Sequence, residues 1–236
     1  MTYAVRPRPG ATVVRMGSQE QATGRRLEPR STNPSSGASP LRRYDGRDRA
    51  ALYDVCLRTG ASGGDATGRF TVPTLLGEVY VGPYVDFEPE LAFVLDDGTG
   101  AGGYILGALD TRAFETRCER EWWPALRDRY PLDGQIRGSA DAHVVSLIHR
   151  PPTAPEVVLA GHPSHLHIDL LPRWQGTGWG RRLIETLLEQ LADAGSPGVH
   201  LGVDTGNRSA VGFYRHLGFT ELHAVGDTLF LGRRTR

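Results

Sequence analysis

The chain contains no lysine: all 27 basic residues among its 236 are arginine. That excludes Schiff-base chemistry and the lysine of a P-loop, so any catalysis has to come from other side chains. It also hints at a GC-rich bacterial genome. Cysteine is nearly absent. Cys56 and Cys118 lie far apart with no metal-ligand spacing around either, which points to a reduced protein with two structural cysteines and implies no metal; a disulfide between them is the alternative. There is no surplus of either charge, since 27 acidic residues balance the arginines at a pI of about 7.1. No overall field therefore gathers nucleic acid or an anionic membrane. No apolar run reaches the ~18 residues of a membrane span, and the N-terminus lacks the apolar core of a secretory signal. The expectation is a cytoplasmic protein with neither nucleic acid nor membrane among its partners.

What is present is a globular composition, 39% hydrophobic, behind an atypical leader. Residues 1–40, ending "GRRLEPRSTNPSSGASP", are rich in Pro, Gly, Ser and Arg. They hold too few core-forming residues to offset their ordering entropy, and are expected to be a disordered tail. An arginine-bearing tail can touch a nucleic acid or an acidic partner; a solvated leader or a misplaced start codon is the plainer reading. Residues 41–236 form the expected folded domain.

Within it, "DRAALYDVCLRTG" has helical spacing and closes on Gly60, and "LLGEVYVGPYV" suggests a short second helix or turn ending before Pro83. "LAFVLDDGTGAGGYILGAL" reads as two strands around an Asp-Gly turn. Residues 110–130 read as a charged helix kinked at Pro124, and 131–163 as irregular with a strand in "HVVSLIH". Then follow a strand at 164–172, a helix at 178–194, a strand at 198–203, a helix at 207–217 and a closing hairpin at 219–233. Strand, glycine loop, helix, strand implies a parallel pair joined by a right-handed crossover.

The glycine loop "QGTGWGRRLIETLL", Gln175 to Leu188, places Gly176, Gly178 and Gly180 at the mouth of a helix. Glycine costs a helix roughly 1 kcal/mol relative to alanine. What the cluster offers in return is free backbone N–H groups and the positive end of the helix dipole, a site for phosphate oxygens that Arg181 and Arg182 reinforce. A Walker loop is excluded by the missing lysine. The spacing is GxGxG, so the GxGxxG dinucleotide fingerprint fails as well.

Gln175-x-x-Gly178-x-Gly180, after a strand ending "LLP", resembles the pyrophosphate loop of the GCN5-related N-acetyltransferases (GNAT). "NRSAVGFYRHLGF" is similar to the same family's next signature, an asparagine, a helix with aromatic residues, then Gly-Phe leading into a strand. From Leu41 to Arg233 the chain looks like bacterial relatives of the acetyltransferase-like domain of animal O-GlcNAcases, through "ALYDVCLRTG", "LGALDTRAFE", "REWWP" and "HLHIDLLP". In the animal enzymes that domain is regarded as a pseudo-acetyltransferase with a degraded cofactor loop; here the loop is intact. The resemblance implies an α/β (α+β) fold: a mixed, mostly antiparallel sheet with one parallel splayed strand pair and helices on both faces. It also implies acetyl-CoA as co-substrate, a small-molecule amine or protein lysine as acceptor, and a monomer or homodimer. The implied cofactor contacts are Leu170, Leu171, Gln175, Gly176, Thr177, Gly178, Trp179, Gly180, Arg181, Arg182, Asn207 and Tyr214.

For the chemistry, strand alternation puts His165, His167 and Asp169 on one face, and His200 and Asp204 on one face of the next strand, as a cleft would require. Acyl transfer to an amine needs a base, and His165, His167 and Asp169 are the candidates. The strand glutamate used by some family members has no equivalent, since Ser164 and Leu166 stand near that region. In the helix from Asn207, Phe213 is expected to go to the core. Tyr214 stands where the family places the tyrosine that protonates the departing sulfur, while Asn207 serves equally well as an N-cap. A backbone N–H near Leu170 would hold the oxyanion. Two other readings remain open: a CoA-binding sensor or scaffold without turnover, and an interaction domain in which Trp122 and Trp123 anchor a partner.

Overall fold

The computed structural model describes residues 39–133 and 138–236, so nearly all of the expected tail lies outside the described residues. Among the described residues Pro40 is already tied to the sheet, its carbonyl accepting from Asp96 N–H at 2.8 Å. The elements are β1 (Leu41–Arg43), α1 (Arg49–Thr59), α2 (Leu75–Tyr80), α3 (Gly82–Phe87), β2 (Ala92–Asp96), β3 (Ala101–Ala108), α4 (Thr111–Arg117), α5 (Trp123–Arg129), α6 (Ala140–His149), α7 (Glu156–Leu159), β4 (Ser164–Leu170), α8 (Trp179–Asp193), β5 (Gly198–Asp204), α9 (Arg208–His216), β6 (Thr220–Val225) and β7 (Thr228–Arg234). The strands form one sheet in the order β1-β2-β3-β4-β5-β7-β6, antiparallel except for the β4–β5 pair.

Alternation along β3 separates the two faces. Leu183, Ile184, Leu187, Leu188 and Leu191 make a buried stripe on α8, and this stripe lies against the face that carries Gly107, where an added Cβ would meet Leu187 Cδ1 at 2.7 Å. The opposite face carries Tyr104, which lies against Cys56 of α1. Helices thus cover both faces. Both cysteines are free and buried.

The short helix expected before Pro83 is α2, which ends at Tyr80, and Pro83 itself sits in the first turn of α3, which has no use for the missing N–H. Three local expectations are corrected. The 110–130 helix is interrupted before Pro124, by a π turn over Cys118–Trp122, and Pro124 sits in the first turn of α5. "HVVSLIH" belongs to α6, because Ser139 accepts from Ala142 N–H and caps a helix start that outweighs the β-branched pattern. Trp122 and Trp123 are packing residues: Trp123 is buried, and Trp122 donates its indole N–H to the Glu78 carbonyl at 2.9 Å.

On the Tyr104 face the paired strands bring His165 beside His200. Burial lowers the His200 imidazole to about 4 and the His165 imidazole well below the ordinary 6.5. Both are neutral when folded, whereas the unfolded chain takes up protons near pH 6.5. The stability they allow is whole above that pH and is lost as pH falls through 6.5 toward 4. Thermal melts should therefore show a falling Tm on acidification, with His200 alone responsible for roughly 3 kcal/mol at the acid end. His200→Asn keeps an N–H donor but cannot protonate, so its acid slope should be shallower than wild type; equal slopes would refute this origin.

Candidate active site

The parallel pair is joined only at Ser164–Val199 and His165–His200. Beyond these two positions β4 continues along β3 to Leu170 and β5 continues along β7 to Asp204, and the two diverge. Leu171 N–H donates to the Gly102 carbonyl at 2.9 Å. In an antiparallel ladder this phase turns the polar backbone of His167 and Asp169 toward β3, and that of Ile168 and Leu170 toward the gap. The Leu170 carbonyl accepts from the Gln175 amide at 2.8 Å. The gap is the floor of a cavity of about 770 Å³ bounded by the end of α1, the glycine loop and α9.

At the loop, Gly176 and Gly178 have φ of 71° and 87°, the left-handed region that glycine enters without strain, and nothing lies within 4 Å of a would-be Cβ at either. Gly180 serves a different purpose, since its Cβ would stand 3.0 Å from Phe213 Cζ, so it lets α8 approach α9. No side chain caps α8, which leaves the N–H groups of its first turn directed at the cavity mouth. Arg181 lines the cavity. Arg182 does not; its guanidinium lies over the Trp179 ring at 5.2 Å. Leu171 spends its N–H on β3, and Thr177 bonds the Trp174 carbonyl at 2.6 Å, so Leu171, Thr177, Trp179 and Arg182 support the loop from outside the lining. Leu170, Gln175, Gly176, Gly178, Gly180, Arg181, Asn207 and Tyr214 line it. Asn207 also caps α9 through Ala210 N–H at 3.1 Å.

The expected catalytic group divides. His165 is withdrawn from the cleft: Nδ1 is 2.8 Å from Thr111 Oγ1 and Nε2 is 2.8 Å from the Tyr84 hydroxyl. Both ring nitrogens are engaged, because at this point β4 is covered by helices rather than open. His167, Asp169 and Tyr214 do line the cavity. Phe213 lies only partly buried on the cavity wall instead of in the core. Tyr214 is 5% exposed. Burial, with the nearby Asp169 charge, raises its hydroxyl above the ordinary 10, so it keeps its proton at neutral pH.

Sequence reasoning missed Tyr104 and Cys56. The Tyr104 hydroxyl donates to Asp169 Oδ2 at 2.7 Å and lies 3.0 Å from His167 Nε2. A hydroxyl has one proton, so with that proton on the carboxylate bond the His167 Nε2 is the donor to Tyr104 oxygen. This leaves Asp169 Oδ1 open to the cleft. Cys56, His167 and Asp169 offer three ligand atoms within 4.8 Å of one another. The Tyr104 hydroxyl, bonded to Cys56 as well, already satisfies the set. Strand phase linked to the β3 register would have found Tyr104; no local signal marks Cys56, which arrives from a distant helix.

Comparison with known proteins places this geometry. The Acetyltransferase (GNAT) family model matches residues 106–219. A crystal structure of SsHAT superposes with a TM-score of 0.76 at 43% identity, covering 83% of this chain and 98% of that one. The O-GlcNAcase of Rattus norvegicus is 27% identical over 213 residues, 88% of this chain but 23% of its own length, so the chain spans about a quarter of that relative. A mycothiol acetyltransferase of Nocardiopsis dassonvillei is 54% identical over 57 residues, 24% of this chain and 16% of that protein.

Tyr104→Phe should leave Asp169 and His167 without their shared partner, with only the direct approach of Nε2 to Oδ2 at 3.2 Å between them, a loss of about 1–3 kcal/mol. Denaturant unfolding is expected to show a lower midpoint with an unchanged m-value. An unshifted midpoint would mean that the hydroxyl is dispensable to the fold.

Proposed function

This chain belongs to the acetyltransferase (GNAT) family, and from that premise we propose that it transfers an acetyl group from acetyl-CoA to a primary amine by direct attack. The observation that carries the reading is the splay of β4 from β5, which opens the Ile168 and Leu170 backbone onto a cavity whose other end is the glycine loop. Three features fit the co-substrate. The loop N–H groups and Arg181 suit a pyrophosphate, the space beside Gly176 and Gly178 admits one, and the unpaired strand edge suits the amides of an extended pantetheine arm. When bound, acetyl-CoA supplies the activated thioester. The SsHAT likeness, over 83% of this chain, supports the shared fold on which this reading rests.

Within this proposal each residue has one task. Asp169 Oδ1, held by the Tyr104 bond on its other oxygen, takes the proton that the amine nitrogen must lose as it bonds the carbonyl carbon. His167 donates through Nε2 and so positions Tyr104 rather than acting as the base. Leu170 N–H, on the gap side of β4, faces the carbonyl oxygen that gains charge. Tyr214 gives its proton to the sulfur as the C–S bond breaks, and a hydroxyl that stays protonated suits that role. The acceptor is an amine, carried by a small molecule or a protein lysine.

Gly178→Asp would place a carboxylate where phosphate approaches, in a backbone conformation costing about 1–2 kcal/mol. Calorimetry should show CoA affinity falling by about tenfold or more while the protein still folds; unchanged affinity would remove the loop from the cofactor site.

Tyr214→Phe deletes only a hydroxyl, so CoA affinity and Tm should hold while kcat drops about 10–10³-fold, and Asp169→Asn should cost about 10²–10⁴-fold. Thiol release with a panel of amines measures both. Tight CoA binding with no turnover on any amine would favour a sensor or scaffold.

A further inference from the structure

A second cavity, of about 690 Å³, opens on the same sheet face, farther back along β4. It lies between that face and α3, α4, α5 and α6, and none of the cofactor-loop residues lines it. Its flat apolar surfaces come from Tyr84, Phe114, Trp123, Pro83 and Pro151, with Tyr84 and Phe114 rings 4.7 Å apart. At the mouth the charged groups are already matched. Arg112 bonds Glu115 and Glu156, and Arg127 bonds Glu119 at 2.6 Å and the Ile148 carbonyl at 3.1 Å. Deeper in, Thr111 and the Tyr84 hydroxyl occupy the two nitrogens of His165.

One polar side chain in the wall is not matched in this way. His200 is 1% exposed and lines the cavity. Its Nδ1 stands 2.7 Å from the His162 carbonyl, and a carbonyl can only accept, so Nδ1 carries the hydrogen. Burial keeps the ring neutral at physiological pH, which leaves Nε2 a bare acceptor with no hydrogen-bond donor from the described residues. In an apolar cavity of ligand size, an acceptor without a donor is the group that fixes an occupant's orientation.

We propose that this cavity is a second small-molecule site, for a planar aromatic ligand whose single N–H or O–H donates to His200 Nε2 while its ring lies among Tyr84, Phe114 and Trp123. The site is separate from acetyl transfer in composition but not in position. Tyr80 lines both cavities and stacks on His167 with ring centroids 5.7 Å apart, so an occupant would press on the back of the acetyl-transfer cleft.

Indole and 1-benzothiophene, matched in shape but differing in the N–H donor, are the probes, titrated into the full chain by NMR and calorimetry with and without CoA. The expected result is saturable one-site binding of indole, unaffected by CoA competition, about five- to tenfold tighter than benzothiophene. His200→Leu should bring the two probes to equal affinity. Leu147→Trp, which fills the cavity from α6 without touching the sheet, should abolish both while CoA binding persists, and it serves if His200→Leu fails to fold. Absence of saturable binding, equal affinities in the wild type, displacement of indole by CoA, or indole binding that survives Leu147→Trp would each overturn the site. None of these outcomes depends on whether the chain turns over an amine.

Discussion

The cleft in this fold follows from the β4–β5 pair being hydrogen-bonded over two positions and no more. A parallel pair that continued to the ends of both strands would satisfy its own backbone and close the sheet. Here β5 is drawn along β7 over its full length and β4 along β3, so each strand is held firmly by its antiparallel neighbour while the seam between them opens. The cost of leaving the Ile168 and Leu170 backbone unpaired is reduced by the Gln175 amide on the Leu170 carbonyl. The same seam converts the start of α8 from a helix end into one wall of a site, because the loop leaving β4 has to turn back across the opening through two left-handed glycines.

The face of β4 that carries His165, His167 and Asp169 changes character along its length. His165 lies under helices with both nitrogens bonded, His167 marks the boundary beneath Tyr80, and Asp169 reaches the cleft. Tyr104 ties the last two together from the neighbouring strand. A half-buried carboxylate is held in place when one of its oxygens has a fixed donor, which the Tyr104 hydroxyl supplies. The tyrosine therefore has a structural reason to be present that also leaves one carboxylate oxygen open to the cleft.

Much of this was legible in the sequence because it is local. The hairpin around Asp97–Gly98, the strand from Ser164, the Gly-rich turn into α8 and the Asn207 cap each depend on a few adjacent residues, and all are found where their patterns put them. The readings that failed depend on partners elsewhere in the chain. "HVVSLIH" has the β-branched content of a strand, yet Ser139 caps it into a helix that packs under α2 and α5. Phe213 looks like a core residue by helical spacing, but its ring lies on the cavity wall against Gly180, more than a whole helix away in sequence, where a Cβ would stand 3.0 Å from its Cζ. Arg181 and Arg182 are adjacent and chemically identical; helix rotation alone sends one to the cavity and the other onto Trp179.

The histidines show the limit of pattern reasoning most clearly. Period-two alternation correctly groups His165, His167 and Asp169 on one face of β4, but alternation cannot say whether a face looks onto solvent, a helix or a cavity. That depends on whether α3 and α4 reach over the strand, and their positions are set by contacts from outside it. Thr111, at the start of α4, bonds both the Pro163 carbonyl and His165 Nδ1, and Tyr84, on α3, takes the other nitrogen. Those two bonds engage both nitrogens of His165, and the cleft below the glycine loop begins two residues later. Position along β4, set by helices that the strand's own sequence does not encode, therefore separates a histidine that lines the cleft from one that does not. It also divides one polar face between two cavities that meet at Tyr80.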